Sequence, residues 1–286
     1  MNATRTPTVT SVQVAFQGIQ GCYSELGLRQ YFDPSVTAVG YESFEEVFEA
    51  VLDQRVTHGF IPVENSIAGT VVENYDLLLA HPTAIIAEVY MPIRHTLLAH
   101  PSVALQQIRE AYSHPHALKQ CRQFLKQHGI RAVPAYDTAG AAQMVAEGRG
   151  RQRAAIASEL CAQYYGLEIL ARDIQTNRSN TTRFFVIVRE DQRPADVEGQ
   201  KTTLAFKTRH YPGALVDCLK IFQRHRLNLA KLQSRPIPEN PFEYVFYAAI
   251  EAGLQVPAAQ RALAELSATA NFVKVLGSYP MADRCW

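Results

Sequence analysis

The chain has 286 residues, of which 47% are apolar and 19% charged, a composition that excludes a disordered, collagen-like or coiled-coil protein. Its 28 basic and 27 acidic residues leave a net charge of +1, so no charge excess points to a nucleic acid or an anionic membrane as partner. The length predicts about two domains, and the near-neutral charge favours a small molecule as the ligand.

The chain shows no sign of export or membrane insertion. No uncharged apolar stretch reaches the ~18 residues of a membrane span, and the polar start MNATRTPTVTSV lacks the apolar core of a signal peptide. We therefore expect a cytoplasmic location. The cysteines are scattered without a CxxC pair, which predicts reduced, mostly buried thiols and no disulfide or zinc site. They are Cys22, Cys121, Cys161, Cys218 and Cys285.

From Val9 to about Val188, short β-type runs alternate with helix-type segments, which predicts a parallel sheet with crossover helices. Two helix starts carry the capping-box pattern, a hydroxyl residue followed three positions later by glutamate: Ser43 with Glu46, and Thr70 with Glu73. Strands are expected at 12–16, 36–41, 58–63, 84–92, 95–99, 109–113, 131–135, 154–157, 169–174 and 183–188.

The segment 189–200 is charged and lacks apolar periodicity, which predicts a linker. After it the pattern changes to β-α-β-β-α-β, the order of a ferredoxin-like domain. Two helices can cover only one face of its sheet, so the other face or an edge is expected to meet a second copy of the chain. The strands are expected at 202–208, 228–237, 242–252 and 272–279, and the helices at 213–225 and 257–270.

The turn after the first strand, Gly18–Glu25, contains two glycines followed by Tyr23 and Ser24 at a helix start. Its backbone amides could hold a carboxylate or phosphate against the helix dipole. The alternative is structural, with Ser24 acting only as the cap of the helix.

A second polar cluster, Glu64, Asn65 and Ser66, follows a buried-looking strand. Ligands of open α/β sheets bind beyond the carboxyl ends of the strands, which favours a binding role here. Alternatively, Asn65 and Ser66 serve the turn, and Glu64 pairs with a lysine or arginine.

A third segment, Asn180–Val186, holds Thr181, Thr182 and Arg183 at the mouth of a strongly β-forming run. The arginine could clamp a carboxylate bidentately, and a threonine hydroxyl could donate to an oxygen that gains charge. Alternatively, β-propensity explains the threonines, and Arg183 is a surface residue.

The segment Ser113–His116 holds two histidines but has no HExxH pattern, no third histidine at usable spacing and no cysteine nearby. We expect no metal here and assign the segment to a cleft or turn. A serine hydrolase is likewise not indicated, because there is no GxSxG motif.

Together and in this order, these segments resemble prephenate dehydratases with a C-terminal ACT regulatory domain. The resemblance runs from Val12 to Pro280. The matching segments are Gly18–Glu25, Pro62–Gly69, Tyr75–Leu78, Tyr112–Pro115, Gln120–Cys121, Thr181–Phe184, Gly213–Val216, Ser234–Pro236, Asn240–Pro241 and Gly277–Pro280.

The resemblance implies an α/β, two-lobed, periplasmic-binding-protein-like catalytic domain at 9–188, with the active site between its lobes. The first lobe would comprise about 9–80 plus 183–188, and the second about 84–174. The linker at 189–200 would lead to a ferredoxin-like ACT domain at 201–280. The family reaction removes the ring hydroxyl and the ring carboxylate of prephenate, giving phenylpyruvate, water and carbon dioxide. The resemblance therefore implies that the reaction uses neither a cofactor nor a metal ion.

The resemblance also assigns roles to residues. Thr182 aligns with the catalytic threonine, and Arg183 is expected to bind a substrate carboxylate beside it. An ionised Glu64 would repel a dianionic substrate, so it is expected to orient Asn65 or Arg183, or to be protonated. The expected substrate-binding residues are Ser24, Glu64, Asn65, Ser66, Gly69, Thr181 and Phe184.

For regulation, the resemblance implies that the allosteric effector L-phenylalanine binds between two ACT domains. The expected effector-binding residues are Gly213, Ala214, Leu215, Val216, Ser234 and Arg235. The family motif there reads Glu-Ser-Arg-Pro, and Gln233 replaces the glutamate, which leaves the strength of effector binding open. The implied assembly is a homodimer or homotetramer. Because the stretch before Val12 is too short for a chorismate-mutase unit, a monofunctional enzyme is expected.

Two other functions stay open. Arogenate dehydratases share every motif quoted above, so the sequence does not separate prephenate from its amino analogue as substrate. A catalytically silent amino-acid sensor would use the same cleft and the same ACT domain. The intact Thr-Thr-Arg-Phe and Glu-Asn-Ser motifs argue against a sensor.

Overall fold

The structure is a computed structural model that describes residues 12–194, 198–237 and 240–283. The expected domain start at residue 9, the middle of the expected linker and Cys285 lie outside the described residues. The chain forms two compact units: the first holds the residues up to Phe60 together with Ile93–Arg178, and the second holds Ile61–Pro92 together with the residues from Ser179 onward. The domain boundaries expected from the sequence stay predictions.

The secondary structure follows the expected strand positions closely up to residue 92. The elements there are β1 (Gln13–Gln17), α1 (Tyr23–Tyr31), β2 (Thr37–Tyr41), α2 (Phe44–Leu52), β3 (His58–Asn65), β4 (Gly69–Thr70), α3 (Val72–Ala80) and β5 (Thr83–Pro92).

The next part of the chain adds five strands and four helices before β11, the last strand of this region. The elements are β6 (Thr96–Ala99), a 3₁₀ turn (Leu105–Gln107), β7 (Glu110–Ser113), α4 (Pro115–Gln120), α5 (Arg122–Gln127), β8 (Arg131–Pro134), α6 (Thr138–Glu147), β9 (Arg153–Ala157), α7 (Leu160–Tyr165), β10 (Glu168–Ala171), β11 (Thr181–Arg189) and a second 3₁₀ turn (Glu190–Gln192).

The C-terminal part confirms the ferredoxin-like order β-α-β-β-α-β. Its elements are β12 (Lys201–Lys207), α8 (Ala214–Arg224), β13 (Leu229–Ile237), β14 (Asn240–Ile250), α9 (Pro257–Thr269) and β15 (Phe272–Tyr279).

In the first unit, β1 pairs in parallel with β2 and with the start of β3. A second sheet has the strand order β10-β6-β9-β7-β8. Within it β7 is parallel to β8 and β9, whereas β6 is antiparallel to β9 and β10. The expected parallel pairing is therefore confirmed for β1 with β2 and β3 and for β7 with β8 and β9, and it is wrong for β6 and β10. Crossover helices enforce parallel pairing only between the strands they join, and β6 and β10 pair outside such units.

In the second unit, the strand order is β13-β14-β12-β15-β5-β11-β3, and β4 pairs with β3. β5 and β11 are antiparallel, which again departs from the expected parallel sheet. Gly277 of β15 pairs with Ile85 of β5, and a Cβ at this glycine would collide with the Ile85 carbonyl oxygen. Only glycine permits this close approach of the two backbones.

Of the two expected capping boxes, one is present in the structure and the other is not. Ser43 accepts a hydrogen bond from the Glu46 amide at 3.2 Å, and the Glu46 carboxylate accepts one from the Ser43 amide, so this box is confirmed. The box at Thr70 is wrong, because α3 begins after Val71 and Thr70 lies in β4. The Thr70 hydroxyl accepts from Lys231 instead, so a partner distant in sequence has replaced the local one.

Apolar side chains fill the space between the C-terminal helices and their sheet. The core includes Leu204, Phe206, Cys218, Ile221, Phe222, Ala248, Ile250 and Leu266. The other face of β12 and β14 carries polar groups such as Thr203 and Tyr247, which are also buried. This polar face lies toward α3 and β11, where the candidate site is built.

The histidine segment after β7 has a turn role, as expected. His114 accepts a hydrogen bond from the His116 amide at 3.2 Å, and Pro115 occupies the first turn of α4. Within the described ranges, no group of three or more histidine, cysteine, aspartate or glutamate side chains is arranged to hold a metal ion. No helix in these ranges is both long and apolar enough to span a membrane.

Candidate functional site

Asn65, the last residue of β3, has its side-chain amide held in one orientation. Its Oδ1 accepts hydrogen bonds from the backbone amides of Ile67 at 3.0 Å and Ala68 at 2.9 Å. Because two donors meet this oxygen, the orientation of the amide is determined by the turn itself. The NH₂ group must therefore face β11.

The Asn65 NH₂ group meets Thr182, the residue expected to be catalytic. Nδ2 lies 3.0 Å from the Thr182 hydroxyl oxygen and 2.8 Å from Asn180 Oδ1. A hydroxyl that accepts this bond keeps its own proton free to donate elsewhere. Thr182 is 9% exposed, so its hydroxyl lies in a place that largely excludes water.

Ser66 ties the same turn to the start of β11. Its hydroxyl donates to the Ser179 carbonyl at 2.8 Å and accepts from the Thr181 amide at 3.0 Å, while its amide donates to the Thr181 carbonyl at 2.9 Å. Gly69 closes the turn with a left-handed φ of 89°, which a side chain would strain. The turn interpretation of Ser66 is thus confirmed, and its substrate contact stays a prediction.

Successive residues of a strand point to opposite faces, and this separates the expected catalytic pair. Asn65 and Thr182 lie on one face of the sheet. Glu64 and Arg183 meet each other on the reverse face. The structure therefore does not bring Arg183 beside the Thr182 hydroxyl, although the two are neighbours in sequence.

Arg183 is buried, so its interpretation as a surface residue is wrong. Its Nη2 donates to the Tyr75 hydroxyl at 3.0 Å and lies 3.1 Å from Glu64 Oε2. Nη1 lies 3.8 Å from Glu88, and the guanidinium stacks 5.4 Å from the Phe185 ring centroid. The buried Nε atom has no hydrogen-bond partner among the described residues.

Two lysines of the C-terminal part join this ionic cluster. Lys231 Nζ donates to Glu64 Oε1 at 2.9 Å and to the Thr70 hydroxyl at 2.9 Å. Lys201 Nζ contacts both carboxylate oxygens of Glu88, at 3.1 and 2.9 Å. The expected pairing of Glu64 with a lysine or arginine is confirmed, and in fact it pairs with one of each.

Burial and charge shift the titration of the cluster. Burial would lower the pKa of Arg183, but its ionisable neighbours, including Tyr75, Tyr279 and Glu64, together outweigh burial and raise that pKa. Burial lowers the pKa of Lys231, against the opposing attraction of Glu64. Burial also raises the pKa of Tyr75 to about 12. Arg183 therefore remains charged, and Tyr75 remains a neutral acceptor and donor near pH 7.

The reverse face also borders a small cavity of about 250 Å³. Its lining residues are Glu64, Ser66, Tyr90, Thr181, Arg183, Lys201 and Ala230. Thr182 and Phe184 are not in this lining, in keeping with the alternation along β11, and Phe184 is buried in the sheet.

Ser24 lies in the first unit, at the start of α1. The residue that caps this helix is Cys22, so the interpretation of Ser24 as the cap is wrong. Gly18 and Gly21 both have positive φ, and the Gly21 amide donates to the Glu25 carboxylate at 2.7 Å. Ser24 lines a cavity of about 760 Å³ together with Gln17, Gly18, Ile19, Cys22, Tyr23, Gly40, Tyr41, Glu42, Glu46, Tyr136, Asp137 and Thr138.

The residues expected to hold the effector fall into two groups. Gly213 to Val216 line a cavity of about 560 Å³ together with the preceding residues from Thr208, and Gly213 caps α8 with φ of 93°. Ser234 and Arg235 are not in this lining. Arg235 instead pairs with Asp76 at 3.0 Å, so the effector roles of all these residues stay predictions.

Sequence reasoning missed five residues of the site. Asn180 and Tyr75 stood inside segments already singled out, so their polar side chains were an available signal. Glu88, Lys201 and Lys231 carried no such signal, since a charged residue on a strand is ordinary until its partner is known.

Comparisons with known proteins identify the family of the chain. A family model described as prephenate dehydratase matches residues 14–192. The chain is 40% identical over 279 residues to arogenate dehydratase/prephenate dehydratase 2, chloroplastic, of Arabidopsis thaliana, which covers 94% of this chain and 73% of that protein.

Two solved structures share the fold. A prephenate dehydratase in complex with L-Phe from Arthrobacter aurescens is 30% identical, with a TM-score of 0.86 over 95% of this chain and 91% of that one. GqqA, described as a novel type of quorum quenching acylase, is 35% identical, with a TM-score of 0.88 over 94% of this chain and 98% of that one. The resemblance seen in the sequence is confirmed: the chain is a dehydratase that belongs to the prephenate dehydratase family.

Proposed function

We propose that the protein catalyses the decarboxylating dehydration of prephenate to phenylpyruvate. The ring C–COO⁻ bond breaks and its electron pair enters the ring, while the ring C–O bond breaks at the opposite carbon. The departing hydroxide takes up a proton and leaves as water, and the carboxylate leaves as carbon dioxide. Aromatisation drives the reaction, so the enzyme has to orient the substrate and assist the leaving hydroxide.

The hydrogen bond between Asn65 and Thr182 is the observation that carries this proposal. Asn65 donates to the Thr182 oxygen at 3.0 Å, and the turn prevents the amide from flipping. The Thr182 O–H therefore points away from Asn65 and can donate to the oxygen that gains negative charge. A preorganised donor of this kind stabilises the transition state more than the ground state.

Arogenate is the second candidate substrate, because the Arabidopsis relative carries both activities in its name. The same bonds break in arogenate, and phenylalanine replaces phenylpyruvate as the product. Thr182 would serve the leaving hydroxide in the same way with either substrate.

Acylase activity, which appears in the description of one structural neighbour, fits the Thr182 environment less well. A threonine nucleophile needs an adjacent base to take its proton. The group that meets the Thr182 oxygen is the Asn65 NH₂, which is a donor and cannot accept a proton. This geometry favours a hydrogen-bond donor over a nucleophile.

We also propose that L-phenylalanine regulates the enzyme through the C-terminal part as an ACT domain. The cavity along Thr208–Val216 has the amide end of the eleven-residue helix α8 at its edge, where a carboxylate is favoured. Support comes from the Arthrobacter relative, which is described in complex with L-Phe. A homodimer or homotetramer and a cytoplasmic location are part of the same proposal.

The test is a product assay on the purified protein with prephenate and, separately, with arogenate. Phenylpyruvate from prephenate is the expected result. Phenylalanine from arogenate, with no product from prephenate, would assign the second substrate instead. No product from either acid would overturn the proposed function.

A further inference from the structure

The two faces of β3 and β11 carry different polar interactions. One face carries the Asn65–Thr182 hydrogen bond of 3.0 Å. The other carries the ion pair of Glu64 with Arg183 at 3.1 Å. Because Glu64 precedes Asn65 and Arg183 follows Thr182, any force on the second pair acts on the backbone that positions the first.

The ferredoxin-like part holds this reverse face through β13. Three alternate residues of that strand, Lys231, Gln233 and Arg235, share a face. Lys231 binds Glu64 and Thr70, the Thr70 hydroxyl lies 3.4 Å from Gln233 Oε1, and Arg235 pairs with Asp76.

Within this row, Lys231 is bonded to Glu64, the residue directly before Asn65. It occupies one Glu64 oxygen while Arg183 occupies the other, so the carboxylate is fixed between two cations. The Lys231 side chain is 9% exposed, and its ammonium also lies 5.4 Å from the centroid of the Tyr75 ring. The ammonium is therefore sheltered from water, whereas the Glu64 side chain is 38% exposed, so salt screens the pair in part.

We infer that Lys231 is a positioning residue for dehydration, which acts on the Thr182 hydroxyl through Glu64 and Asn65. This inference rests on the proposed function. Without the ammonium, Glu64 is held on one side only, and the end of β3 loses a restraint next to Asn65. A small displacement of a catalytic donor can cost about 10²-fold in rate.

The same contact links the site to the proposed regulation. Lys231 lies on the strand that carries Gln233, Ser234 and Arg235, the segment that matches the family's regulatory motif. An effector that shifts β13 would therefore change the restraint on Glu64. The coupling needs no contact between effector and substrate.

The experiment measures kcat and KM of the full chain with the substrate that the wild type converts. Lys231→Met keeps the apolar stem and removes the charge, and we expect kcat to fall about tenfold with a smaller change in KM. Lys231→Arg should recover most of the rate. The matched control is Lys220→Met, which removes an exposed lysine of α8 and should leave kcat unchanged.

The same substitution made in a Thr182→Ala variant distinguishes a positioning role of Lys231 from a loss of structure. In Thr182→Ala, the donor that Lys231 positions is gone, so adding Lys231→Met should lower kcat no further. Urea unfolding identifies any variant that fails to fold, and Lys231→Gln then replaces Lys231→Met. A wild-type kcat in the folded variant, or an equal loss in both backgrounds, would overturn the inference while leaving the proposed function intact. A wild type without activity would overturn both.

Discussion

The fixed amide of Asn65 determines what the Thr182 hydroxyl can do. Asn65→Asp keeps an oxygen for the Ile67 and Ala68 amides but replaces the donor that faces Thr182 with an acceptor. The Thr182 proton would then bind the new carboxylate, and the leaving oxygen would lose its donor. We expect kcat to fall by roughly 10²-fold, with a urea midpoint close to that of the wild type. An unchanged kcat would show that the Asn65 NH₂ does not set the direction of the Thr182 proton.

His95 makes the stability of the protein depend on pH. Its Nδ1 lies 2.6 Å from the Tyr23 hydroxyl and its Nε2 lies 2.6 Å from Gln120 Oε1, and burial lowers its pKa below 6.5. Below about pH 6.5 the unfolded chain takes up a proton that the folded chain does not. The free energy of unfolding should therefore fall as the pH drops below that value.

Urea unfolding of the wild type and His95→Gln between about pH 7 and about pH 5 tests this expectation. The variant should lose part of the pH dependence, because the buried imidazole is gone. His58 has a similarly lowered pKa, and comparing the two proteins cancels its contribution. Parallel pH profiles for the two proteins would show that His95 is not responsible.

The ion pair of Lys201 on β12 with Glu88 on β5 joins two strands and is deeply buried. Their side chains are 2% and 0% exposed. Without Lys201, the buried Glu88 carboxylate keeps Arg183 at 3.8 Å, so Lys201→Met should lower the free energy of unfolding by about 3 kcal/mol, the lower end for breaking a buried pair. The double variant Lys201→Met/Glu88→Leu should recover most of that loss. Urea unfolding measures both, and equal stability of the single variant and the wild type would contradict the account.

The positions of the strands were predictable because alternation and β-propensity are local properties. The relative direction of the strands was not predictable. β11 pairs antiparallel with β5, and no single crossover helix joins these two strands. The Thr70 cap failed for a related reason: its hydroxyl is bound by Lys231, 161 residues away. Local patterns cannot show a competing partner at that separation.

The residues of the candidate site were predictable where a local motif marked them, but their long-range contacts were not. Asn65 and Thr182 were both identified as site residues. Their contact spans 117 residues, so no local pattern predicts it, and only the family resemblance places both residues in one site. The opposite facing of Thr182 and Arg183 follows from the two-residue period of a strand, and it contradicts the expected placement of Arg183 beside Thr182. The role of Lys231 had no signal in the sequence, because its partner Glu64 is 167 residues away.

For the whole molecule, the proposed regulation requires L-phenylalanine to bind the loop before α8. Gly213 has φ of 93° and Gly166 has φ of 63°, and a Cβ at either would meet no atom within 4 Å. Gly213→Ala should therefore strain only this loop and weaken L-phenylalanine binding about tenfold. Gly166→Ala is the matched control and should bind as the wild type does. Calorimetry on the full chain measures both, and no binding by the wild type would remove the effector from the account.

The proposed dehydration depends on the Thr182 hydroxyl, which assists the loss of hydroxide. Its most direct test is kcat of Thr182→Ala and Thr182→Ser, measured with prephenate and arogenate beside the wild type. We predict that the alanine variant stays folded and loses at least ~10²-fold in kcat, while the serine variant, which keeps a hydroxyl, retains much more activity. A folded alanine variant with near-normal kcat would contradict the account.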